Sequence, residues 1–201
     1  MRRTQIGIGI VTCAFLGIAS SASAGSITGT IHAAGLRNVA DAVVYIEKIE
    51  GKTFPVPKEP AIMDQNARVF IPKILPVLVG TTVEFLNSDP FAHNVFTPDE
   101  CADEFDLGTW ETGGKRSYTF DKSCVAVMLC NLHQDMAAYV VVVETPYFTI
   151  TDTTGEFTIE NVPDGTYTVS AWHERMEKKS REVVVSGATK LDLTLTIRQS
   201  R

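Results

Sequence analysis

Residues 129–136 read Leu-Cys-Asn-Leu-His-Gln-Asp-Met, from Leu129 to Met136. A thiol (Cys130), an imidazole (His133) and a thioether (Met136) fall three residues apart in this stretch. An apolar run, Val125–Cys130, leads into it, and another, Tyr139–Glu144, leads away. Short runs rich in Val, Ala and Tyr read as strands. Three soft or borderline donors therefore sit on one loop between two strands.

The same texture extends outward through the chain. Helical periodicity is nearly absent. The runs Ile27–Ile31, Ala42–Ile46, Leu78–Phe85, Ser117–Phe120, Glu156–Ile159, Tyr167–Trp172 and Leu191–Ile197 are rich in Val, Ile, Thr, Tyr and Phe, with Gly, Pro, Asn and Asp between them. Strands at this spacing indicate β-sandwiches, and the expected class is all-β. From about Phe54 to Thr145 the chain is punctuated by proline and carries three cysteines. From Pro146 onward cysteine vanishes, and the turns become Thr151-Asp152-Thr153-Thr154-Gly155 and Pro163-Asp164-Gly165. The Asp164-Gly165 pair is a hairpin signal, since such turns need a positive φ that Gly tolerates. The last 55 or so residues are few for an independent core.

The chain opens with Met1-Arg2-Arg3, an apolar run from about Ile6 to Ile18, and Ala22-Ser23-Ala24. A basic start, a short apolar core and an A-x-A site predict a secretory signal peptide over residues 1–24, cleaved before Gly25. The Arg-Arg pair also admits a twin-arginine signal. The run is too short to span a bilayer, and no later segment is apolar enough to do so. The expectation is an exported, periplasmic protein that does not span the membrane. Losing residues 1–24 moves the formal net charge from −6 to −8. That balance argues against nucleic acid or an anionic membrane surface as a partner.

Thiolate, imidazole and thioether together favour copper, whose trigonal sites take two histidines and one cysteine with a long, weak axial bond. Cys130, His133 and Met136 supply three of these. Beyond the leader the histidines are His32, His93, His133 and His173. His93 is the best placed, in a turn entering a strand directly after Thr81–Leu86. Blander readings exist for each part. Met136 alone reads as core filler. Structural zinc prefers four Cys/His ligands. A c-type haem needs Cys-x-x-Cys-His, and the second cysteine is missing. A Cys130 nucleophile with His133 as base would lack a third, orienting group.

Taken together, Phe70-Ile71-Pro72, the run Leu78–Asn87, His93-Asn94-Val95, Tyr118-Thr119-Phe120 and Cys130-x-x-His133-x-x-Met136 resemble the cupredoxins, over most of residues 56–144. The compact ligand loop is similar to that of amicyanin-type proteins. The resemblance implies a Greek-key β-sandwich holding one type 1 copper. His93, Cys130 and His133 would be the strong ligands and Met136 the axial one. It also implies that Asn94 pins the ligand loop. Electrons would leave through the edge of His133, inside an apolar patch for which Leu132, Ala137, Phe91 and Ala92 are candidates.

With all four positions filled by protein, such a centre has no open site for substrate. The expected role is therefore not an enzyme's but that of a carrier of single electrons. Its partner would be a redox protein such as a c-type cytochrome or a dehydrogenase. One alternative is a copper carrier or buffer, which would need exposed, exchangeable ligands. Another is a binding module with a vestigial metal site, against which the intact ligand set weighs. The acidic residues Asp99, Glu100, Asp103, Glu104 and Asp106 are either solvated surface or a steering patch for a basic partner.

Secreted cysteines tend to pair. Cys101, Cys124 and Cys130 fit one bridge, Cys101–Cys124, plus a free ligand thiolate. Cys124 opens the strand that ends at Cys130, so the bridge would lie roughly 20 Å from the metal, at the opposite pole. Two unpaired thiols are the alternative.

The tail resembles a different family. Ile150–Ile159 and Gly165-Thr166-Tyr167-Thr168-Val169 are similar to the latter part of a carboxypeptidase regulatory-like sandwich. That family's opening strands look like Gly25–Ile31 and Asp41–Ile46, which here precede the copper-binding region. The resemblance implies a second small sandwich formed discontinuously around the cupredoxin. Its first strands would lie in 25–51 and its remainder in 146–201, with the cupredoxin domain, 52–145, inserted between them. The competing arrangement has the N-terminal segment extending the cupredoxin. His32 and His173 read as structural or surface residues, and Lys178-Lys179-Ser180-Arg181 as a solvated turn.

Overall fold

The computed structural model describes residues 24–33, 35 and 39–199. The expected signal peptide lies outside them, except Ala24, which opens the first strand. The first strands are β1 (Ala24–Ala33), β2 (Val43–Ile46), β3 (Ala61–Asn66), β4 (Val69–Ile71), β5 (Ile74–Leu78) and β6 (Thr81–Leu86). There follow β7 (His93–Phe96), β8 (Asp106–Trp110), β9 (Lys115–Phe120), β10 (Cys124–Leu129), β11 (Ala137–Val143) and β12 (Phe148–Ile150). The chain closes with β13 (Glu156–Pro163), β14 (Gly165–Trp172), β15 (Lys179–Val185), β16 (Ala188–Lys190) and β17 (Leu193–Leu195). Among the described residues the one helical turn is 3-10, Glu100–Ala102. The protein is all-β.

Four sheets build two sandwiches. In one, the sheet β4-β3-β6-β9 faces β5-β11-β10-β7-β8. Between them lies a core that includes Met63, Phe85, Val95, Phe120, Met128 and Val140. In the other, β13-β1-β16, extended by β17, faces β12-β2-β14-β15. Its core includes Ile27, Ile31, Ile46, Val169, Met176 and Leu195. The N-terminal strands thus pair with the C-terminal ones. Ile27 lies opposite Ile159 on β13, and Val44 opposite Ala171 on β14. Ile27–Ile31 pairs with strands of the second sandwich and not with the first.

β11 explains how the two sandwiches meet. Successive side chains of a strand face opposite ways. Ala138, Val140 and Val142 point into the first core. Tyr139, Val141 and Val143 join Ile74, Val43, Tyr45, Phe148 and Trp172 in a third cluster between the sandwiches. A strand covered on both faces reads as a continuous apolar run, which is why residues 137–143 are Ala-Ala-Tyr-Val-Val-Val-Val. The Tyr139 and Trp172 rings lie 5.3 Å apart in this seam, and Lys73 bonds Glu174 at 2.6 Å beside it.

Three expectations are corrected. Leu78–Phe85 is not one strand. β5 runs parallel to β11, whereas β6 lies between β3 and β9 in the facing sheet. The chain changes sheet between Val79, whose N–H still bonds Val143, and Gly80, whose N–H already bonds Phe120. Gly80 makes the switch at φ +88°, a conformation that favours glycine. Asp164-Gly165 is not a hairpin turn either. β13 and β14 belong to different sheets, Gly165 has no positive φ, and the Asp164 carboxylate accepts the Gly187 N–H at 3.0 Å. The basic run is not a turn. Lys179–Arg181 open β15, an edge strand whose side chains reach solvent, while Lys178 pairs with Glu47 at 2.7 Å.

Candidate metal centre

The site forms where three pieces of chain end at one pole of the first sandwich. β7 begins at His93, β10 ends just before Cys130, and the loop to β11 carries His133 and Met136. β7 and β10 are neighbours, with Phe96 opposite Leu129. Two pins close the loop. The Asn131 N–H donates to Asn94 Oδ1 at 2.7 Å, and the Met136 N–H donates to the His133 carbonyl at 3.0 Å. Asn94 therefore makes the contact the resemblance implied.

His93, Cys130 and His133 come together, with their donor atoms all within 4.8 Å of one another. Cys130 Sγ lies 3.8 Å from the Nδ1 of each histidine, and the two Nδ1 atoms are 3.0 Å apart. A triangle with these sides has a circumradius of about 2.1 Å, which matches the roughly 2.0–2.1 Å of a metal–imidazole bond and is slightly short of a metal–thiolate bond. Two imidazoles and a thiol converging at this separation fit a copper ion in its trigonal mode. His93, Cys130 and Met136 are buried, at 0%, 4% and 1% exposure, while His133 is partly exposed. Met136 packs in the first core.

Burial first, then the charges of His93 and Arg68, hold the His133 imidazole below its ordinary pKa, in the neutral form a metal requires. His93 donates or accepts at Nε2 with Asp89 Oδ2, 2.8 Å away. Because a carboxylate only accepts, Nε2 is the donor in this bond, and the other ring nitrogen, Nδ1, faces the cluster. Burial alone would raise the Asp89 pKa. The Arg68 N–H, the His93 ring and the Ala67 N–H outweigh it, and the carboxyl sits below its ordinary value. Asp89 is a functional residue that sequence reasoning missed. Its place four residues before His93 was the available signal.

Of the expected patch, Phe91 packs against both histidines, with ring centroids 5.2 Å from His93 and 5.5 Å from His133. Leu132 is 52% exposed. The Arg68 guanidinium stacks 5.2 Å over Phe91. Cys101 and Cys124 are bridged, with Cα atoms 6.3 Å apart, at the far end of β10 from Cys130. The acidic residues gather at the bridge and not at the site. Asp99 accepts the Val127 N–H at 2.7 Å, and Asp103 is held by Tyr118 and Lys122. The Asp99 carboxylate is thus tied to the backbone of β10, whereas Asp103 is exposed. His32 is exposed on β1 and His173 is buried in the second sandwich; neither joins the cluster.

Residues 135–198 match the family model described as Carboxypeptidase regulatory-like domain. No curated protein sequence matches the chain. Among solved structures the chain is similar to a reduced variant of amicyanin, at 25% identity and a TM-score of 0.40, covering 43% of this chain and 85% of that one. It is also similar to the Novel Purple Cupredoxin from Nitrosopumilus maritimus, at 25% identity and a TM-score of 0.38, covering 41% and 98%. A third is the Cu-containing nitrite reductase from Thermus scotoductus SA-01, at 25% identity and a TM-score of 0.42, covering 50% of this chain and 25% of that one. The class the fold defines is that of an all-β protein of two adjoining sandwiches, the first of which carries the His93, Cys130 and His133 cluster. No helix among the described residues is long and apolar enough to cross a membrane.

Proposed function

We propose that this chain is an exported type 1 copper protein that carries single electrons between redox partners in the periplasm. The observation that carries the reading is the triangle of His93 Nδ1, His133 Nδ1 and Cys130 Sγ. His93, Cys130 and His133 would hold the ion, with Met136 as a further ligand. Copper bound there supplies a reversible one-electron couple between Cu(II) and Cu(I).

The chain's own residues do the rest. Asn94 and the His133–Met136 turn hold the loop, so the donors keep one arrangement and little reorganisation accompanies the redox change. His133 alone of the donors reaches toward solvent, beside Phe91 and the exposed Leu132, which gives electrons a short way out to a docked cytochrome or dehydrogenase. Four protein donors leave no position for substrate, so the role is not catalytic. The Cys101–Cys124 bridge is what an oxidising compartment allows, and it agrees with the N-terminal export signal.

The domain reading is a cupredoxin, residues 52–145, inserted into a regulatory-like sandwich formed by 25–51 and 146–201. The pairing of β1 with β13, β16 and β17, and of β2 with β12 and β14, supports it. The second sandwich then acts as a rigid neighbour fixed to the carrier through the seam around Trp172.

The test is the visible and EPR spectrum of the exported protein with Cu(II), alongside Cys130→Ser. An intense thiolate-to-copper band with narrow hyperfine splitting, lost in the variant, is the expected result. A colourless protein, or one that takes up Cu(I) alone, would overturn electron transfer in favour of copper carriage or a vestigial site.

A further inference from the structure

The hairpin between β3 and β4 is only two residues long, Ala67 and Arg68, because Asn66 already pairs with Val69. Both loop residues have positive φ, 54° and 60°. Two-residue hairpin loops of this kind favour Gly, which has no Cβ to crowd the left-handed region, and Asn, whose short side chain can hydrogen-bond locally. Neither Ala nor Arg has either property, so something else must hold the turn.

Asp89 does so. Its Oδ1 accepts the Ala67 N–H at 2.7 Å and its Oδ2 accepts the Arg68 N–H at 2.9 Å. Successive N–H groups in such a turn form a concave anion site, here filled by a carboxylate of the same chain. The carboxylate is 3% exposed and its remaining contact is His93 Nε2. Its own backbone is fixed as well. The Asp89 N–H donates to Asn87 Oδ1 at 3.0 Å, and its carbonyl accepts Thr112 Oγ1 at 2.6 Å. The turn reaches the other histidine by a second route, because Arg68 stacks on Phe91 and Phe91 packs on His133.

We propose that the β3–β4 turn is part of the metal centre: Ala67 and Arg68 hold the Asp89 carboxylate, and Asp89 holds His93 with its Nδ1 lone pair toward Cys130 and His133. These are positioning residues, and none touches the metal. The proposal deepens the copper reading and rests on it for its purpose.

The test is ¹⁵N NMR of histidine-labelled, metal-free protein, followed by Cu(II) titration, for wild type, Asp89→Ala and the isosteric Asp89→Asn. Wild type should show His93 in a single tautomer with the proton on Nε2. Asp89→Ala should populate both tautomers and lose about 10–100-fold in Cu(II) affinity, as is usual when a ligand histidine loses its outer partner. Asp89→Asn, which turns one donor toward the turn's own N–H groups, should do the same if Asp89→Ala does not fold. An unchanged His93 tautomer in both Asp89 variants would overturn the proposal, even if the copper centre is blue. A tautomer that moves as described while no copper binds would sustain the positioning role and sink the electron-transfer function.

Discussion

Asn94 Oδ1 accepts the backbone N–H of Asn131 at 2.7 Å, so the residue after the first histidine is bonded to the residue after the cysteine. This one contact joins two segments 37 residues apart and sets the distance between His93 and Cys130. It is also buried on the Asn94 side, at 3% exposure.

Asn94→Ala should therefore lose about 1 kcal/mol, the usual net worth of such a bond. Metal affinity should fall with it, since the loop is no longer held. Asn94→Asp keeps an acceptor and should recover much of both. Thermal midpoints with and without Cu(II) check this; equal loss in both variants would show that the acceptor is not what matters.

The disulfide gives the opposite pattern. Cys101 and Cys124 are 23 residues apart, and closing a loop of that size stabilises the fold by about 3 kcal/mol on the chain-entropy account. Replacing both with Ala should lower stability by that order in chemical unfolding. The copper spectrum should not move, because the bridge lies at the other end of β10.

Trp172 tests the seam. It is 6% exposed and packs on Tyr139 across the boundary between the sandwiches. Trp172→Ala should cost about 3–5 kcal/mol, as large core truncations do. Calorimetry should then resolve two transitions where the wild type has one, with the metal site unaffected. A single, uniformly lowered transition would mean that the seam is not a boundary between separable units.

The pH dependence follows from the two histidines held below the ordinary value of 6.5. His173 is buried; that burial, set against the attraction of Glu174, favours its neutral form, and its Nδ1 accepts the Arg175 N–H at 3.1 Å. His133 is lowered for the reasons given above. Above about pH 7 both are neutral in folded and unfolded chains alike. As pH falls through 6.5 the unfolded chain takes up protons first, so the metal-free protein loses stability. Urea midpoints at pH 8, 7, 6 and 5 should fall over the last two steps, and His173→Gln should flatten part of the slope. Midpoints that hold constant or rise toward pH 5 would contradict the assignment.

Much of the fold was legible because strand-forming side chains and their period of two are local properties. β1, β2, β9, β10, β11 and β14 stand close to their expected places. The short strands β12 and β16 were not foreseen, since three residues carry too little pattern. The run through Val79 and Gly80 misled because both strands are apolar and only the pairing partners, Val143 and Phe120, reveal that they lie in different sheets. Asp164-Gly165 misled in the same way. A turn dipeptide marks a reversal, but whether the flanking strands pair depends on cores that the dipeptide does not touch.

The sequence by itself determined the candidate donors, because Cys130, His133 and Met136 are three apart on one loop and His93 enters a strand of matching character. It determined the all-β class, and it carried the two family likenesses in separable stretches. Only the tertiary structure decided that Asp89 and the Ala67–Arg68 turn stand behind His93, that Cys101 meets Cys124, and that β11 is buried on both faces. The reason is physical. Residue chemistry and strand period are written in neighbouring positions, whereas a buried carboxylate finds its N–H donors about 20 residues upstream only after the sheets have packed.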